Sequence, residues 1–225
     1  MSAGSVPQAI RRLVEGREFV APEGNQSIGY QLAKRAVDIV GAAALLSLLG
    51  PVMLAVYAVL WVTTGGRPVY CQVRIGHLGR PFTMLKFRTM RLDADRIQHT
   101  VSNEKDGPVF KNRHDPRITR IGRWLRKTSL DETPQLINVL RGEMSLVGPR
   151  PPIGREVANY APWQRRRLAV KPGLTCLWQV SGRSEVSFEN WVRMDLWYVL
   201  NQTLWNDLML LVRTPLSVLT CRGAY

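Results

Sequence analysis

Residues 39–64 read IVGAAALLSLLGPVMLAVYAVLWVTT, and no charged side chain occurs among them. At 1.5 Å per helical residue, a run of about 25 residues covers the roughly 30 Å hydrocarbon core of a bilayer. Soluble core helices seldom run so far without a charge, so the stretch reads as a membrane segment. The break at Gly50-Pro51 decides how it meets the membrane. Proline deletes a backbone donor and biases the residue before it away from helix, which leaves two apolar halves of about a dozen residues, each too short to span. The flanks agree: Lys34 and Arg35 precede the run, and Arg67, Arg74 and Arg80 follow it. No charge asymmetry directs the two ends to opposite faces. The pattern favours a kinked re-entrant hairpin that enters one leaflet and returns, over a helix that crosses. Asp38, one turn beyond Lys34, is expected to pair on that side of the interface.

Outward from this segment, residues 1–29 mix Gly, Pro, Ser and Gln with scattered charges and carry no sustained periodicity. They lack the apolar core of a signal peptide and read as a mobile cytoplasmic tail. The whole chain of 225 residues suits one domain with attachments. Its formal charge of +14 and pI near 10.5 attract polyanions: nucleic acid, an anionic membrane face or phosphorylated small substrates. Cys71, Cys176 and Cys221 are odd in number and widely spaced, which argues against a disulfide framework or a zinc site.

On the other side, Thr64-Gly65-Gly66-Arg67-Pro68 is a cluster of breakers. Val69 to Ile75 and Phe82 to Phe87 then read as two strands of a β-hairpin. Period-two alternation puts Lys86 and Arg88 on one face and Phe87 on the other, either as a solvated surface or as anion contacts. Residues 91–112 are polar and irregular, a surface helix and loop. Arg120, Arg123, Arg126 and Lys127, spaced around Ile121, Trp124 and Leu125, describe a basic amphipathic helix, suited to solvent or to a lipid surface.

That helix leads into Ser129-Leu130-Asp131-Glu132-Thr133-Pro134-Gln135. Two helix starts fit: Ser129 as N-cap with Glu132 completing a capping box, or Thr133 as N-cap before Pro134. Either places two carboxylates at the positive end of a helix dipole, which favours their ionised form. Plain capping is the commoner meaning of such a pair at a helix start. A deprotonated aspartate could also attack phosphorus, and a neighbouring glutamate could hold Mg²⁺ against a diphosphate. The helix of residues 135–140 ends at Arg141-Gly142, and Ser145-Leu146-Val147-Gly148-Pro149-Arg150-Pro151 follows. Two prolines restrict the backbone of Arg150, whose guanidinium suits bidentate phosphate binding. Further anion contacts are expected from Lys171-Pro172-Gly173-Leu174-Thr175 and from Ser181-Gly182-Arg183. Toward the C-terminus, Trp191, Trp197, Tyr198 and Trp205 accompany apolar positions Leu204, Leu208, Leu211 and Val212 at helical spacing. They suit a membrane interface or ordinary core packing, with Arg213-Thr214-Pro215 ending one helix before a last short one.

From about Lys34 to Leu219 the chain resembles the bacterial sugar transferase family, the monotopic phosphoglycosyl transferases. The resemblance rests on segments in the family's order: Lys34-Arg35-Ala36-Val37-Asp38; the apolar run broken at Pro51; Phe82 to Met90; Arg126-Lys127-Thr128-Ser129-Leu130-Asp131-Glu132; Met144 to Pro151; Lys171 to Thr175; and Asp195-Leu196-Trp197-Tyr198-Val199. It implies that the aspartate matching Asp131 attacks the β-phosphate of a UDP-sugar, releases UMP and passes the phosphosugar to undecaprenyl phosphate. It implies further that Glu132 binds Mg²⁺, that Arg150 binds nucleotide or phosphate, and that Asp207 belongs to the same pocket. Lys86, Arg88 and Arg183 fit phosphate contacts in kind. The short members that transfer galactose or glucose phosphate in exopolysaccharide synthesis are the nearest in kind, and the chain has no room for the spanning helices of larger relatives. Thr133 stands where the family has leucine and Cys176 where it has glycine, which crowds the loop beside Trp178.

The resulting expectation is an α/β, mostly helical chain: a tail over 1–29, a kinked re-entrant membrane helix over 30–64, and over 65–225 a single cytoplasmic catalytic domain with a small β-hairpin and interfacial amphipathic helices. Its partners would be a UDP-sugar, undecaprenyl phosphate and membrane lipid at the bacterial inner membrane, with Mg²⁺ as cofactor. Nucleic acid is disfavoured by the apolar segment. The rival is a basic membrane-surface scaffold without catalysis.

Overall fold

The computed structural model describes residues 24–25, 27–104, 106–181 and 186–219. Most of the N-terminal tail, Arg183 and Cys221 lie outside the described residues. Helix α1, Ile28–Thr63, runs continuously through Pro51 and is long and apolar enough to cross a membrane. It is also tied along its length to the rest of the fold. Arg35 donates to Val139 O and Leu140 O, both at 2.7 Å, and so satisfies carbonyls that end helix α3, Gln135–Arg141. One turn on, Asp38 is buried and accepts from Ser145 Oγ at 2.9 Å and Leu146 N at 2.8 Å. This corrects the expected pairing of Asp38 at the interface: its partners are a hydroxyl and a backbone amide of the core. Ala42 packs in the main core. Val56 and Leu60, beyond the proline, pack with Phe87 and Leu125.

Strands β1, Val69–Ile75, and β2, Pro81–Phe87, form the expected antiparallel hairpin, with Val69 opposite Phe87 and Ile75 opposite Pro81. Helix α2, Arg120–Lys127, is N-capped by Thr119, whose hydroxyl accepts from Gly122 N at 2.9 Å. Leu125 faces α1, whereas Arg120, Arg123, Trp124 and Lys127 are exposed. After α3, Gly142 takes φ 80° and closes the helix in the left-handed conformation that glycine adopts without strain.

Strand β3, Ser145–Val147, pairs in parallel with β4, Gly173–Thr175. The loop of residues 171–175 is therefore spent on a buried strand pair, and the expected anion contact from Lys171 is not made in the cavity described below. The two backbones meet so closely that a Cβ on Gly148 would lie 2.4 Å from Lys171 O, and one on Gly173 would lie 2.0 Å from Gly148 N. Only glycine fits at this crossing.

Helices α4, Gly154–Ala158, α5, Pro162–Arg165, and α6, Leu177–Ser181, are short; α7, Phe188–Leu200, and α8, Leu204–Leu219, complete the fold. Helix α8 continues through Pro215, where a break was expected; Thr214 Oγ1 donates to Leu210 O at 2.7 Å, tying the preceding turn. The C-terminal aromatics divide. Trp191 and Tyr198 are core residues, while Trp197 and Trp205 are exposed, as are Leu208, Val212 and Leu216 of α8.

Candidate active site

The helix starts expected around the Asp-Glu pair do not form. Ser129 adopts φ 57° and makes no side-chain cap, residues Leu130–Glu132 form a single 3₁₀ turn, and Pro134 stands at the N-cap of α3. Thr133 Oγ1 instead donates back to Leu130 O at 2.8 Å. A left-handed serine is a strained residue, of a kind that persists where packing over-determines it. Here it reverses the chain between α2 and the 3₁₀ turn, and both carboxylates end up lining one cavity of about 400 Å³.

The two carboxylates are electrostatically unlike. Asp131 is 7% exposed. Burial pushes its carboxyl up to about 6, against Lys86 and Arg126, which favour the charged form, and with Glu132, which opposes it. Burial thus outweighs the helix dipole that the sequence suggested would govern it. For Glu132, burial also pushes upward, but Lys86, followed by Arg150 and Arg74, outweighs it and holds the carboxyl below its usual range. Lys86 Nζ lies 2.6 Å from Glu132 Oε1.

Of the predicted site residues, Asp131, Glu132, Lys86, Arg88 and Arg150 are brought together at this cavity. Arg88 reaches it with its guanidinium committed to Arg67 O at 2.8 Å and to the Tyr70 ring at 5.4 Å. Arg150 is half-buried, 5.4 Å from the Trp191 ring centroid and 3.7 Å from Glu156 Oε2. Asp207 is placed elsewhere. It lies on α8, buried, where its carboxylate accepts from Lys34 Nζ at 2.9 Å, Tyr198 OH at 2.6 Å and Tyr30 OH at 3.1 Å. That cluster joins α1 to α8 and does not line the cavity.

The sequence reading missed Arg74, Arg126 and the loop at residues 91–112. Arg74 is buried, lines the cavity, and has its guanidinium lowered to about 10 by burial and by Arg150. Alternation along β1 puts Gln72 and Arg74 on one face, but nothing local in the sequence marks that face as inward. Arg126 donates from Nε to Thr89 Oγ1 at 3.0 Å and favours the charged form of Asp131; the sequence shows it in a basic stripe and in a quoted motif but gives it no role. Val109, Phe110 and Asn112, from the stretch read as plain surface, wall the cavity.

The arrangement can bind a multiply charged anion among Lys86, Arg74, Arg126 and Arg150 while presenting a buried carboxylate to it. The model of the bacterial sugar transferase family matches residues 29–221. The chain is 48% identical over 200 residues to a UDP-galactose-lipid carrier transferase of Erwinia amylovora, covering 85% of this chain and 41% of that one. It is 41% identical over 200 residues to an exopolysaccharide production protein of Rhizobium meliloti, covering 86% and 88%, respectively. It is 38% identical over 208 residues to a UDP-glucose:undecaprenyl-phosphate glucose-1-phosphate transferase of Caulobacter vibrioides, covering 88% and 74%. Four curated relatives that match at 43–48% identity are longer, and the chain spans only 41–43% of their length. With a family match over residues 29–221, most of its length, this chain belongs to the bacterial sugar transferase family.

Proposed function

We propose that this chain transfers hexose 1-phosphate, with galactose or glucose as the sugar, from a UDP-sugar to undecaprenyl phosphate, and so starts exopolysaccharide synthesis. The observation that carries the reading is a buried carboxylate, Asp131, facing a cavity rich in guanidinium groups beside a second carboxylate held ionised. An Asp131 oxygen attacks the β-phosphorus, and the bond from that phosphorus to the bridging oxygen breaks. UMP leaves with the electron pair, and an aspartyl phosphosugar remains. The phosphate oxygen of the lipid then attacks the same phosphorus and the carboxylate leaves, giving a lipid diphosphate sugar. Arg74, Arg126 and Arg150 hold the charge that builds on the phosphate oxygens, and Lys86 keeps Glu132 ionised.

Among the described residues no group of three His, Cys, Asp or Glu side chains gathers. A Mg²⁺ ion fits nonetheless, because it takes hard oxygen ligands, often one or two carboxylates completed by substrate phosphates. Glu132 would hold it, and the ion would supply charge neutralisation of the diphosphate. A panel of UDP-sugars assayed for UMP release with and without chelator tests substrate and metal together. Release is expected from UDP-galactose or UDP-glucose and is expected to stop with EDTA; release that persists in EDTA removes the metal from the reading.

Since the attacking group must be deprotonated and burial raises the Asp131 carboxyl to about 6, the pre-steady-state rate of UMP release should rise with pH to a plateau above roughly pH 7. A rate that is flat through this range would show that the carboxyl is no longer raised once the donor is bound.

The mount proposed is re-entrant, with the domain on the cytoplasmic face. Two facts support it: Ala42 and Leu60, on either side of Pro51, both pack against the same domain, and the exposed face of α1 is apolar, as is most of the free face of α8. Single cysteines introduced as Ser27→Cys and Ser102→Cys, in a background without native cysteines, should both be labelled from the cytoplasmic side of sealed vesicles. Labelling of either from the periplasmic side would require a spanning helix.

A further inference from the structure

Four consecutive carbonyls around Arg150 are held from three different parts of the fold, two of them by adjacent residues of β1. Gly173 N donates to Pro149 O at 2.9 Å and Ile75 N to Pro152 O at 2.8 Å. Arg167 Nη2 donates to Arg150 O at 3.3 Å, and Arg74 Nη1 to Pro151 O at 3.0 Å. Three of these four residues are prolines, so the stretch cannot join a regular ladder, and its buried carbonyls need donors from outside.

The Arg167 contact stands apart from the others. Its guanidinium and its partner, the Asp195 carboxylate, are each 1% exposed, and an ion pair so deep is a costly way to supply one donor. Neither residue lines the cavity. Arg167 also donates to Tyr160 OH at 3.0 Å. Its guanidinium lies 5.4 Å from the centroid of Trp191, the same distance as that of Arg150, and Trp191 lines the cavity. Two cations thus share one indole, with a carboxylate on the deeper of them.

We propose that Arg167 and Asp195 are positioning residues for Arg150. Asp195 fixes Arg167 and cancels its charge; Arg167 then sets Arg150 through its carbonyl and through the shared indole. Without Asp195, Arg167 would repel Arg150 in a medium of low dielectric. Glu156 restrains the loop from the other side, with Oε2 3.1 Å from Ile153 N and 3.7 Å from Arg150 Nη1. The guanidinium of Arg150 is thereby held ready for the donor's phosphates before they arrive, which lowers the cost of binding. This inference rests on the reading above that Arg150 binds those phosphates.

A merely structural ion pair would change stability and leave the folded enzyme working as before. A double-mutant cycle on the full chain in nanodiscs separates the two roles, with KM and kcat for UMP release and calorimetric affinity for UDP as readouts. Arg150→Ala is expected to raise KM and weaken UDP binding. Asp195→Asn is expected to raise KM about tenfold, well within the coupling seen inside one network, with kcat changed less than about twofold. The double variant should be no worse than Arg150→Ala. Arg167→Lys keeps the charge beside Asp195 but has a single ammonium head to serve three partners, and it should reproduce the Asp195→Asn effect if that variant does not fold. Effects that multiply in the double variant, or an unchanged KM in a folded Arg167→Lys, overturn the proposal while leaving the phosphate-binding reading intact. Arg150→Ala without effect on KM or UDP affinity overturns both.

Discussion

Asp131→Asn should lower UMP release by at least about a thousandfold, because the substitution replaces the attacking carboxylate by a neutral amide that cannot form the phosphosugar ester. Glu132, its neighbour in the same 3₁₀ turn, is engaged by Lys86 at 2.6 Å. The stability change should have the opposite sign. Asp131 is buried, and its carboxyl is raised to about 6, so the fold disfavours its charged form. That penalty is present above pH about 6 and vanishes below the unfolded carboxyl range of roughly 4. The thermal midpoint at pH 7.5 should therefore stay level or rise in the variant while activity is lost. A basic membrane-surface scaffold would give an Asp131→Asn protein indistinguishable from the parent in every respect but stability.

Asp207→Ala should do the reverse. Asp207 lies outside the cavity and accepts from Lys34, Tyr198 and Tyr30 where α1 meets α8. Its side chain is 5% exposed and that of Lys34 is 13% exposed, so its removal strands a cation in a site from which water is nearly excluded. Breaking one partner out of a buried pair costs about 3–5 kcal/mol. For a chain of this size that corresponds to a drop of roughly 10 °C in the melting midpoint. The kcat of protein still folded should remain within a few-fold of the parent. Loss of transfer without loss of stability would instead bring the Asp207 carboxylate into the chemistry, as the resemblance alone implied.

These two aspartates show what could be read from the chain and what could not. The hairpin was legible because alternation over seven residues is local, and so was the end of α3, because Gly142 is a local signal for a left-handed residue. The motifs around Asp131 and Arg150 were legible by likeness, and the fold places both at one cavity. What escaped depends on partners distant in sequence. Asp38 looked like an interfacial charge until Ser145 and Leu146 appeared beside it. The inward turn of Arg74 is fixed by Pro151 O, 77 residues away. The capping box at Ser129 obeyed local rules and lost to the packing of α2 against α1, which leaves Ser129 left-handed. The loop at residues 91–112 carries no periodicity, and its place on the cavity wall comes from tertiary packing alone.

The most direct measurement is the mass of the intact chain and of its Asp131 peptide after incubation with UDP-sugar and Mg²⁺ and without lipid phosphate. One phosphohexosyl group should be found on Asp131, with UMP released in equal amount; undecaprenyl phosphate should discharge it, and Asp131→Asn should never acquire it. UMP that forms only when lipid phosphate is present, with no adduct on the protein under rapid acid quench, would mean direct transfer between the two substrates and would contradict a covalent role for Asp131.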